Sequence, residues 1–293
     1  MHIMLNKKTY TPKQPRRSSR VSIRDVEYQV SEWGRREDPL IVYLHGFGDT
    51  GSTFQFVVDE LQRNWFVVAP DWRGFGRSVA DTPAFWFPDY LADLDHLLQH
   101  YSPDEPVRLI GHSMGGNIAG LYAGVMPDRV AALVNLEGFG LPDSDPQDAP
   151  AHYADWLLRS RDVPANTVRD NFSVLAQAIQ RRNPHMTAER ANFVSREWAE
   201  ERPDGCVQLR INPAHKLPNP VLYRRAEAEA CWREIKAAIL LVAGRLSRFT
   251  VPDNLPFPAS KIAWLEEAGH MLHFEQPRQL AREIEEFLVK PGT

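Results

Sequence analysis

The stretch Val107-Arg108-Leu109-Ile110-Gly111-His112-Ser113-Met114-Gly115 joins a short apolar run to a G-x-S-x-G sequence. In turns of this kind a strand enters a helix so sharply that the serine hydroxyl is exposed, and the flanking glycines avoid a clash with nearby backbone. Residues 117–125 are small and mostly apolar and end before Pro127, as expected for a helix packed on a sheet. The pattern therefore favours a hydrolase in which Ser113 is the nucleophile.

The composition indicates a globular protein that acts on a small molecule. The chain has 293 residues, 43% of them hydrophobic, and a formal net charge of -4. This length can bury one large core with an inserted subdomain. Acidic and basic residues are interspersed after the first twenty positions, so no broad positive field attracts nucleic acid or an anionic membrane. We expect a small-molecule acyl substrate, no nucleic-acid partner and no membrane insertion.

The expected compartment follows from the cysteines and the first twenty residues. The two cysteines, Cys206 and Cys231, cannot form the disulfide framework of a secreted protein. Residues 1–20 are basic, contain no acid, and have no apolar run long enough for a signal-peptide core. No stretch approaches the roughly 20 apolar residues needed to cross a bilayer. We expect a basic N-terminal tail over residues 1–20 and a cytoplasmic protein.

Strand-like and helix-like patterns alternate along the chain, which predicts a mostly parallel sheet covered by helices on both faces. The predicted strands are a hairpin over 21–33 and buried strands over 40–44, 65–69, 107–110, 130–136, 238–243 and 262–265. The predicted helices include 52–63, 89–100 and 279–289. The alternation stops between residues 141 and 230. We expect an α/β core over 21–140 and 231–293, with a mainly helical cap subdomain inserted over 141–230.

A serine hydroxyl is a weak nucleophile at neutral pH, so it needs a base within hydrogen-bond reach and a third group that orients the base. Among the ten histidines, His270 is the candidate base because it follows the last predicted strand, in Ala268-Gly269-His270. That strand end lies at the same edge of the sheet as Ser113. His273 follows three residues later and is expected to face elsewhere.

At these motifs the chain resembles the α/β-hydrolase family, from residue 40 to residue 289. Besides the serine turn, the resemblance rests on His45-Gly46-Phe47-Gly48, on Asp71-Trp72-Arg73-Gly74-Phe75-Gly76-Arg77-Ser78, and on Gly269-His270 ahead of Glu275-Gln276-Pro277. It implies the α/β-hydrolase fold and a serine hydrolase that needs no metal and no organic cofactor. It also implies an oxyanion hole formed by the backbone N–H groups of Phe47 and Met114.

The third catalytic group is not where this family usually carries it. The usual position is the aspartate of a Gly-x-x-Asp sequence after the strand that follows the cap, but the corresponding sequence here is Gly244-Arg245-Leu246-Ser247. Some relatives carry the acid at the end of the strand after the nucleophile helix, where this chain has Glu137. A carboxylate that ends a buried strand is costly unless it is paired. We expect Glu137 to bind His270 Nδ1, with Asp253 as the alternative acid.

One other pattern allows a different enzyme class. Residues 46–51 also satisfy G-x-G-x-x-G, and Asp71 ends the next predicted strand, as in the dinucleotide site of an NAD(P)-dependent oxidoreductase. This interpretation is disfavoured because extra strands precede the strand, turn and helix that would bind the dinucleotide. It also leaves Ser113 and His270 without a role.

A metal site is also disfavoured. Asp89, Asp93, His96 and His100 recur at helical spacing, but the interleaved leucines indicate an amphipathic helix whose polar residues face solvent. We therefore expect these four side chains to be solvated.

The substrate is expected to bind against the cap. Trp86, Trp156 and Trp198 could line an apolar acyl or aryl pocket, and equally they could form the core of the cap. An apolar pocket favours a small, largely apolar carboxylic ester or thioester. An acyltransferase and a non-hydrolytic receptor for a small ligand remain alternatives on the same fold. A haloalkane dehalogenase is excluded, because its nucleophile is a carboxylate and the residue here is Ser113.

Overall fold

A central sheet determines which parts of the chain meet. The computed structural model describes residues 9–82, 84–249, 251–252, 254–258 and 260–289, so the alternative acid Asp253 lies outside the described residues. The strands are β1 (Arg17–Ile23), β2 (Val26–Trp33), β3 (Leu40–Leu44), β4 (Phe66–Pro70), β5 (Val107–His112), β6 (Val130–Leu136), β7 (Val168–Arg169), β8 (Ala199–Glu201), β9 (Val207–Leu209), β10 (Ala238–Gly244) and β11 (Ser260–Leu265).

Within the described residues, eight strands form one sheet in the order β1-β2-β4-β3-β5-β6-β10-β11. The β1–β2 and β2–β4 pairs are antiparallel. The pairs from β4 to β11 are parallel. Because parallel strands share a direction, the loops after β3, β5, β6, β10 and β11 meet along one edge of the sheet. This mostly parallel sheet confirms the predicted fold class.

Helices cover both faces of the sheet. They are α1 (Gln55–Val58), α2 (Phe87–Tyr101), α3 (Met114–Val125), α4 (Ala149–Ser160), α5 (Phe172–Arg182), α6 (Ala188–Trp198), α7 (Arg225–Arg233), α8 (Leu272–Glu275) and α9 (Pro277–Leu288). One core layer contains Leu94 of α2, Ile118 of α3 and Trp232 of α7. The opposite layer contains Val57 of α1 and Ile284 of α9. No helix in the described part of the chain is both long and apolar enough to span a membrane.

The N-terminal region joins the sheet earlier than the sequence suggests. Strand β1 begins at Arg17, inside the predicted tail, and pairs with β2 along its whole length. An edge strand tolerates such charged residues because one of its sides faces solvent. Before it, the Tyr10 ring packs edge-on against Phe56 with centroids 4.8 Å apart, and its hydroxyl donates to Asp59. The part of this segment that is described therefore covers the core.

The predicted helix over 52–63 is much shorter in the structure. The chain forms a 3-10 turn over Gly51–Phe54 and continues into the single turn of α1. The N–H groups of Glu60 and Leu61 then bond three residues back, so the helix ends there. A tight turn is needed because β4 starts a few residues later.

Residues 141–230 contain α4, α5 and α6 and a small sheet in the order β7-β9-β8. Strands of two or three residues have too little periodicity to be found by sequence. Helix α7 starts at Arg225 but packs against α3, where a Cβ at Gly124 would lie 1.8 Å from the carbonyl oxygen of Cys231. The predicted boundary at residue 230 therefore falls inside a helix of the core layer.

Asp93 is not solvated, contrary to the expectation for the polar face of α2. It is 1% exposed, and it accepts hydrogen bonds from Tyr28 and from two nitrogens of the Arg73 guanidinium, one of them at 2.7 Å. The loop after β4 places Arg73 beneath α2. This contact cannot be predicted from the periodicity of the helix sequence. This buried ion pair fixes the loop to the helix.

Candidate active site

Ser113 lies at the turn between β5 and α3 with a strained backbone. Its φ of 50° and ψ of -112° fall in a region that residues with a Cβ rarely adopt. The turn is possible because glycines flank it. A Cβ at Gly111 would lie 2.4 Å from the carbonyl oxygen of Gly115, and a Cβ at Gly115 would lie 2.1 Å from that of Leu44. The tight packing holds the hydroxyl at the edge of the sheet.

The structure brings His270 to this hydroxyl from the loop after β11. Nε2 of His270 lies 3.0 Å from Oγ of Ser113. The imidazole is partly exposed, with 27% of its side-chain surface accessible, and the ring of Phe249 lies 4.4 Å from it. The candidate base is thus within hydrogen-bond distance of the serine hydroxyl and is partly accessible to solvent. His273 does not take this position, because its imidazole points into the core.

Glu137 follows β6 and approaches His270 from the other side. Its Oε2 lies 2.6 Å from His270 Nδ1, and its side chain is fully buried. The backbone N–H of Gly244 donates to Oε1 at 2.8 Å, and the hydroxyl of Ser247 donates to Oε2 at 2.7 Å. These donors stabilise a negative charge that burial alone would disfavour. Glu137 also has a positive φ of 55°, which residues with a Cβ rarely adopt.

Ser247 is a member of the site whose contact the sequence did not predict. It occupies the position where the family usually has its aspartate, and its hydroxyl binds the carboxylate that comes from β6 instead. The loss of the usual acid in Gly244-Arg245-Leu246-Ser247 was visible in the sequence. A hydroxyl placed there as a donor to another acid was not.

The turn after β3 lies against the serine turn, where the resemblance places the oxyanion hole. A Cβ at Gly46 would lie 3.2 Å from the Cβ of Ser113. Phe47, the proposed donor, follows Gly46 in this turn. Met114 is the first residue of α3, so its N–H has no partner within the helix. The two proposed donors therefore come from adjoining turns.

His45 holds the turn after β3 in place. Its Nδ1–H donates to the carbonyl of Gly46 at 2.7 Å, and its Nε2 accepts from the backbone N–H of Trp72 at 2.8 Å. Burial lowers the pKa of His45 to about 4. The ring is therefore neutral near pH 7, which is the form these two opposite hydrogen bonds require.

A buried polar cluster lies beneath the site. His273 Nε2 lies 2.9 Å from Asp49 Oδ2, and Trp198 Nε1 donates to Asp49 Oδ1 at 2.8 Å. Burial opposes the charge of Asp49, but its hydrogen bond and electrostatic interaction with His273 lower its pKa overall. His112 donates through Nε2 to the carbonyl of His270 at 2.8 Å. Burial, together with His273 and His270, lowers the pKa of His112 well below its usual value, so it is neutral.

The same cluster contains the residues that could hold a metal ion. Asp49, His112 and His273 offer ligand atoms within 4.8 Å of one another. Among the described residues, Nδ1 of each imidazole is buried without a partner. The carboxylate, however, already accepts from Trp198 and His273, and an ion would have to displace these bonds.

A cavity of about 790 Å³ adjoins His270. Its apolar lining includes Leu175, Ile179, Trp198, Leu209 and Phe249. Of the three tryptophans proposed for the pocket, only Trp198 is among the described residues that line it.

The other two tryptophans lie elsewhere. Trp86 precedes α2 and is 42% exposed, and Trp156 lies in α4. The cavity is also not purely apolar, because the side chains of Arg169, Arg182 and Arg248 line it.

The G-x-G-x-x-G pattern has a structural role here. Asp71 is buried, and its carboxylate accepts from the N–H groups of Gly51 and Arg77 at 2.9 Å each. Burial raises the pKa of Asp71 to about 6. Its two oxygens therefore bind the protein's own backbone, whereas a dinucleotide site would present them to a ribose.

The sheet order and the strained serine turn at its edge define an α/β-hydrolase fold. Residues 39–277 match the family model described as alpha/beta hydrolase fold. The chain belongs to the α/β-hydrolase family.

Comparisons with individual proteins agree with this family. The chain is 26% identical over 289 residues to a serine hydrolase-like protein of Danio rerio, covering 89% of this chain and 85% of that protein. It is 25% identical over 277 residues to a putative 2-succinyl-6-hydroxy-2,4-cyclohexadiene-1-carboxylate synthase of Bacillus subtilis, covering 90% and 95%. The solved thioesterase domain from the curacin biosynthetic pathway has a TM-score of 0.81 at 21% identity, covering 92% of this chain and 99% of that domain.

Proposed function

We propose that this protein is a serine hydrolase that cleaves a carboxylic ester or thioester through an acyl-enzyme on Ser113. The observation that carries the proposal is a continuous chain of hydrogen-bond distances. Ser113 Oγ lies 3.0 Å from His270 Nε2, and His270 Nδ1 lies 2.6 Å from Glu137 Oε2. A nucleophile, a base and a group that orients the base are the parts that nucleophilic catalysis by serine requires.

In the first half of the proposed reaction, Ser113 Oγ attacks the acyl carbon while His270 Nε2 accepts its proton. The buried carboxylate of Glu137 stabilises the imidazolium that forms. The N–H groups of Phe47 and Met114 donate to the oxygen that becomes negative, and each such donor contributes about 3 kcal/mol to the transition state. His270 then protonates the leaving alkoxide or thiolate as its bond to the acyl carbon breaks.

In the second half, water attacks the acyl-enzyme while His270 accepts its proton. The tetrahedral intermediate collapses, His270 returns the proton to Ser113 Oγ, and the carboxylic acid leaves. The cavity beside His270 is large enough for a small acyl substrate. Its side chains from Leu175, Ile179 and Leu209 suit an apolar portion of that substrate. A thioesterase among the structural neighbours is the reason to test thioesters alongside esters.

Trapping of the acyl-enzyme tests this proposal. The protein is incubated with a panel of p-nitrophenyl esters and N-acetylcysteamine thioesters, and the acyl group is located by peptide mass spectrometry. We expect it on Ser113, with Ser113→Ala losing both the adduct and turnover while the melting temperature is unchanged. Ser173→Ala changes an exposed serine of α5 and serves as the matched control. Full activity of Ser113→Ala, or an adduct at another residue, contradicts the proposal.

The same assay separates the alternatives on this fold. Competing acceptor alcohols convert the product from acid to ester in an acyltransferase, whereas a hydrolase continues to release acid. A non-hydrolytic receptor shows neither an adduct nor turnover with any member of the panel, and is instead stabilised by a ligand.

A further inference from the structure

Three arginines converge on the cavity that adjoins His270. Arg169 comes from β7, Arg182 from the last turn of α5, and Arg248 from the loop after β10. Arg248 is distant in sequence from the other two and joins them only in the folded chain. The protein as a whole has more acidic than basic residues, with a net charge of -4. The three guanidinium groups are therefore not part of a general excess of positive charge.

None of these three guanidinium groups forms an ion pair within the described residues. Arg169 donates to a backbone carbonyl, that of Val168, and Arg248 lies over the ring of Phe249 at 5.2 Å. Arg182 likewise has no acidic partner among the described residues. The guanidinium groups are thus available to a ligand.

One carboxylate also lines the cavity, and its oxygens are engaged. Glu275 accepts from the backbone N–H of Gly269 at 2.6 Å and from that of His185 at 3.4 Å. Among the described residues that line the cavity, three arginines against one acid leave a net positive charge. A concave surface of one charge sign concentrates ligands of the opposite sign.

We propose that the substrate carries an anionic group, a carboxylate or a phosphate, that binds Arg169, Arg182 and Arg248. This inference rests on the proposed function and specifies its substrate class. Guanidinium groups bind both anions through paired hydrogen bonds, for which a lysine is a poorer substitute. Arg248 adjoins Phe249, whose ring lies 4.4 Å from the His270 ring, so the anion binds in the cavity that His270 also lines.

The two possible sources of the anion are separated by four thioesters. Butyryl and succinyl groups are each attached to N-acetylcysteamine and to coenzyme A, so that a carboxylate on the acyl side and phosphates on the leaving-group side vary independently. For at least one anionic thioester, we expect kcat/KM to be about tenfold or more above the value for butyryl-N-acetylcysteamine. A tenfold ratio corresponds to about one charge-assisted contact. A preference for the succinyl group identifies the carboxylate, and a preference for coenzyme A identifies the phosphate.

Substitution of the arginines tests whether they cause the preference. Arg169→Gln, Arg182→Gln and Arg248→Gln are made singly and together, and the triple variant is expected to lose the preference for anionic over neutral thioesters. Arg181→Gln is the control, because it removes the same charge from an exposed neighbour that does not line the cavity. Salt should reduce the preference of the wild type, since it screens exposed charges.

A binding measurement keeps this inference separate from the proposed function. Ser113→Ala is titrated with the four thioesters by calorimetry, so affinity is measured without turnover. Equal affinity for neutral and anionic thioesters, or no binding of any, overturns the anionic substrate class even if Ser113 is acylated. A preference retained by the triple arginine variant also overturns it. Loss of the Ser113 adduct, with anion-selective binding intact, instead overturns the hydrolytic function alone.

Discussion

The contact between Glu137 and His270 allows a quantitative prediction for Glu137→Gln. In the wild type, Oε1 of Glu137 accepts from the Gly244 N–H, and Oε2 accepts from Ser247 and His270. In the variant, the amide oxygen is expected to face the Gly244 N–H, which leaves the NH₂ group facing His270 Nδ1. Nδ1 must then accept, so the proton of the neutral ring moves to Nε2 and points at Ser113.

That tautomer cannot take the serine proton, and the variant also lacks the charge that stabilises the imidazolium. We expect kcat/KM to fall about 10³- to 10⁴-fold, by analogy with loss of the acid in other serine triads. This corresponds to about 4 to 5.5 kcal/mol of transition-state stabilisation, at about 1.36 kcal/mol per decade. The change is nearly isosteric, so the thermal unfolding midpoint should move little compared with this loss.

The assay is steady-state hydrolysis of p-nitrophenyl butyrate from pH 5 to pH 9, together with the rate of Ser113 labelling by a fluorophosphonate. Asp253→Asn is measured in parallel as the competing acid. In the Glu137→Gln background, Ser247→Asp should restore activity by about tenfold or more, because it places a carboxylate near His270 in the family's usual position. A Glu137→Gln enzyme with more than a tenth of wild-type activity, or a larger loss in Asp253→Asn, refutes the assignment of Glu137.

Three further outcomes follow from the structure. Asp93→Asn removes the buried carboxylate that pairs with Arg73 and leaves Arg73, among the described residues, with the largely exposed Asp25 as its anionic partner, so we expect a loss of about 3 to 5 kcal/mol in urea unfolding; a loss below 1 kcal/mol contradicts this account. Burial lowers the pKa of His215 to about 3, so its unfolded form takes up a proton as pH falls below 6.5 and the folded form does not. His215→Phe should therefore flatten the loss of stability between pH 6.5 and 5 by up to about 1.4 kcal/mol per pH unit. Gly46→Ala places a methyl group 2.7 Å from Nδ1 of the buried His112. The turn after β3, which carries the proposed oxyanion donor Phe47, must then shift, so kcat should fall by about tenfold or more while the protein remains folded.

The central strands and the serine turn were predictable because their patterns are local. The predicted strands over 107–110, 130–136 and 238–243 agree with β5, β6 and β10 to within two residues at either end. Buried parallel strands are continuous apolar runs, and such runs are readable without knowledge of their neighbours. The short β7–β9 sheet and the single turn of α1 carry no such pattern.

Part of the candidate site was also predictable, because strand ends in a parallel sheet share one edge. This rule made His270 a candidate, and the resemblance to the α/β-hydrolase family made Glu137 one, before any distance was known. It gave no information about Ser247 as a donor to Glu137, about Asp93 beneath α2, or about the arginines in the cavity. Each of these depends on which side chains face each other across packed elements.

The sequence alone determined the α/β architecture, the serine turn and a short set of candidate partners, since burial, periodicity and turn chemistry are properties of neighbouring residues. The tertiary structure decided that the carboxylate after β6 lies 2.6 Å from the imidazole. It also decided that Arg169 and Arg182 share one cavity with that imidazole and with Arg248, which is distant from them in the chain. Hydrogen bonds and ion pairs act over a few ångströms, and only the order of the strands and the packing of the cap bring groups so distant in the chain within that range.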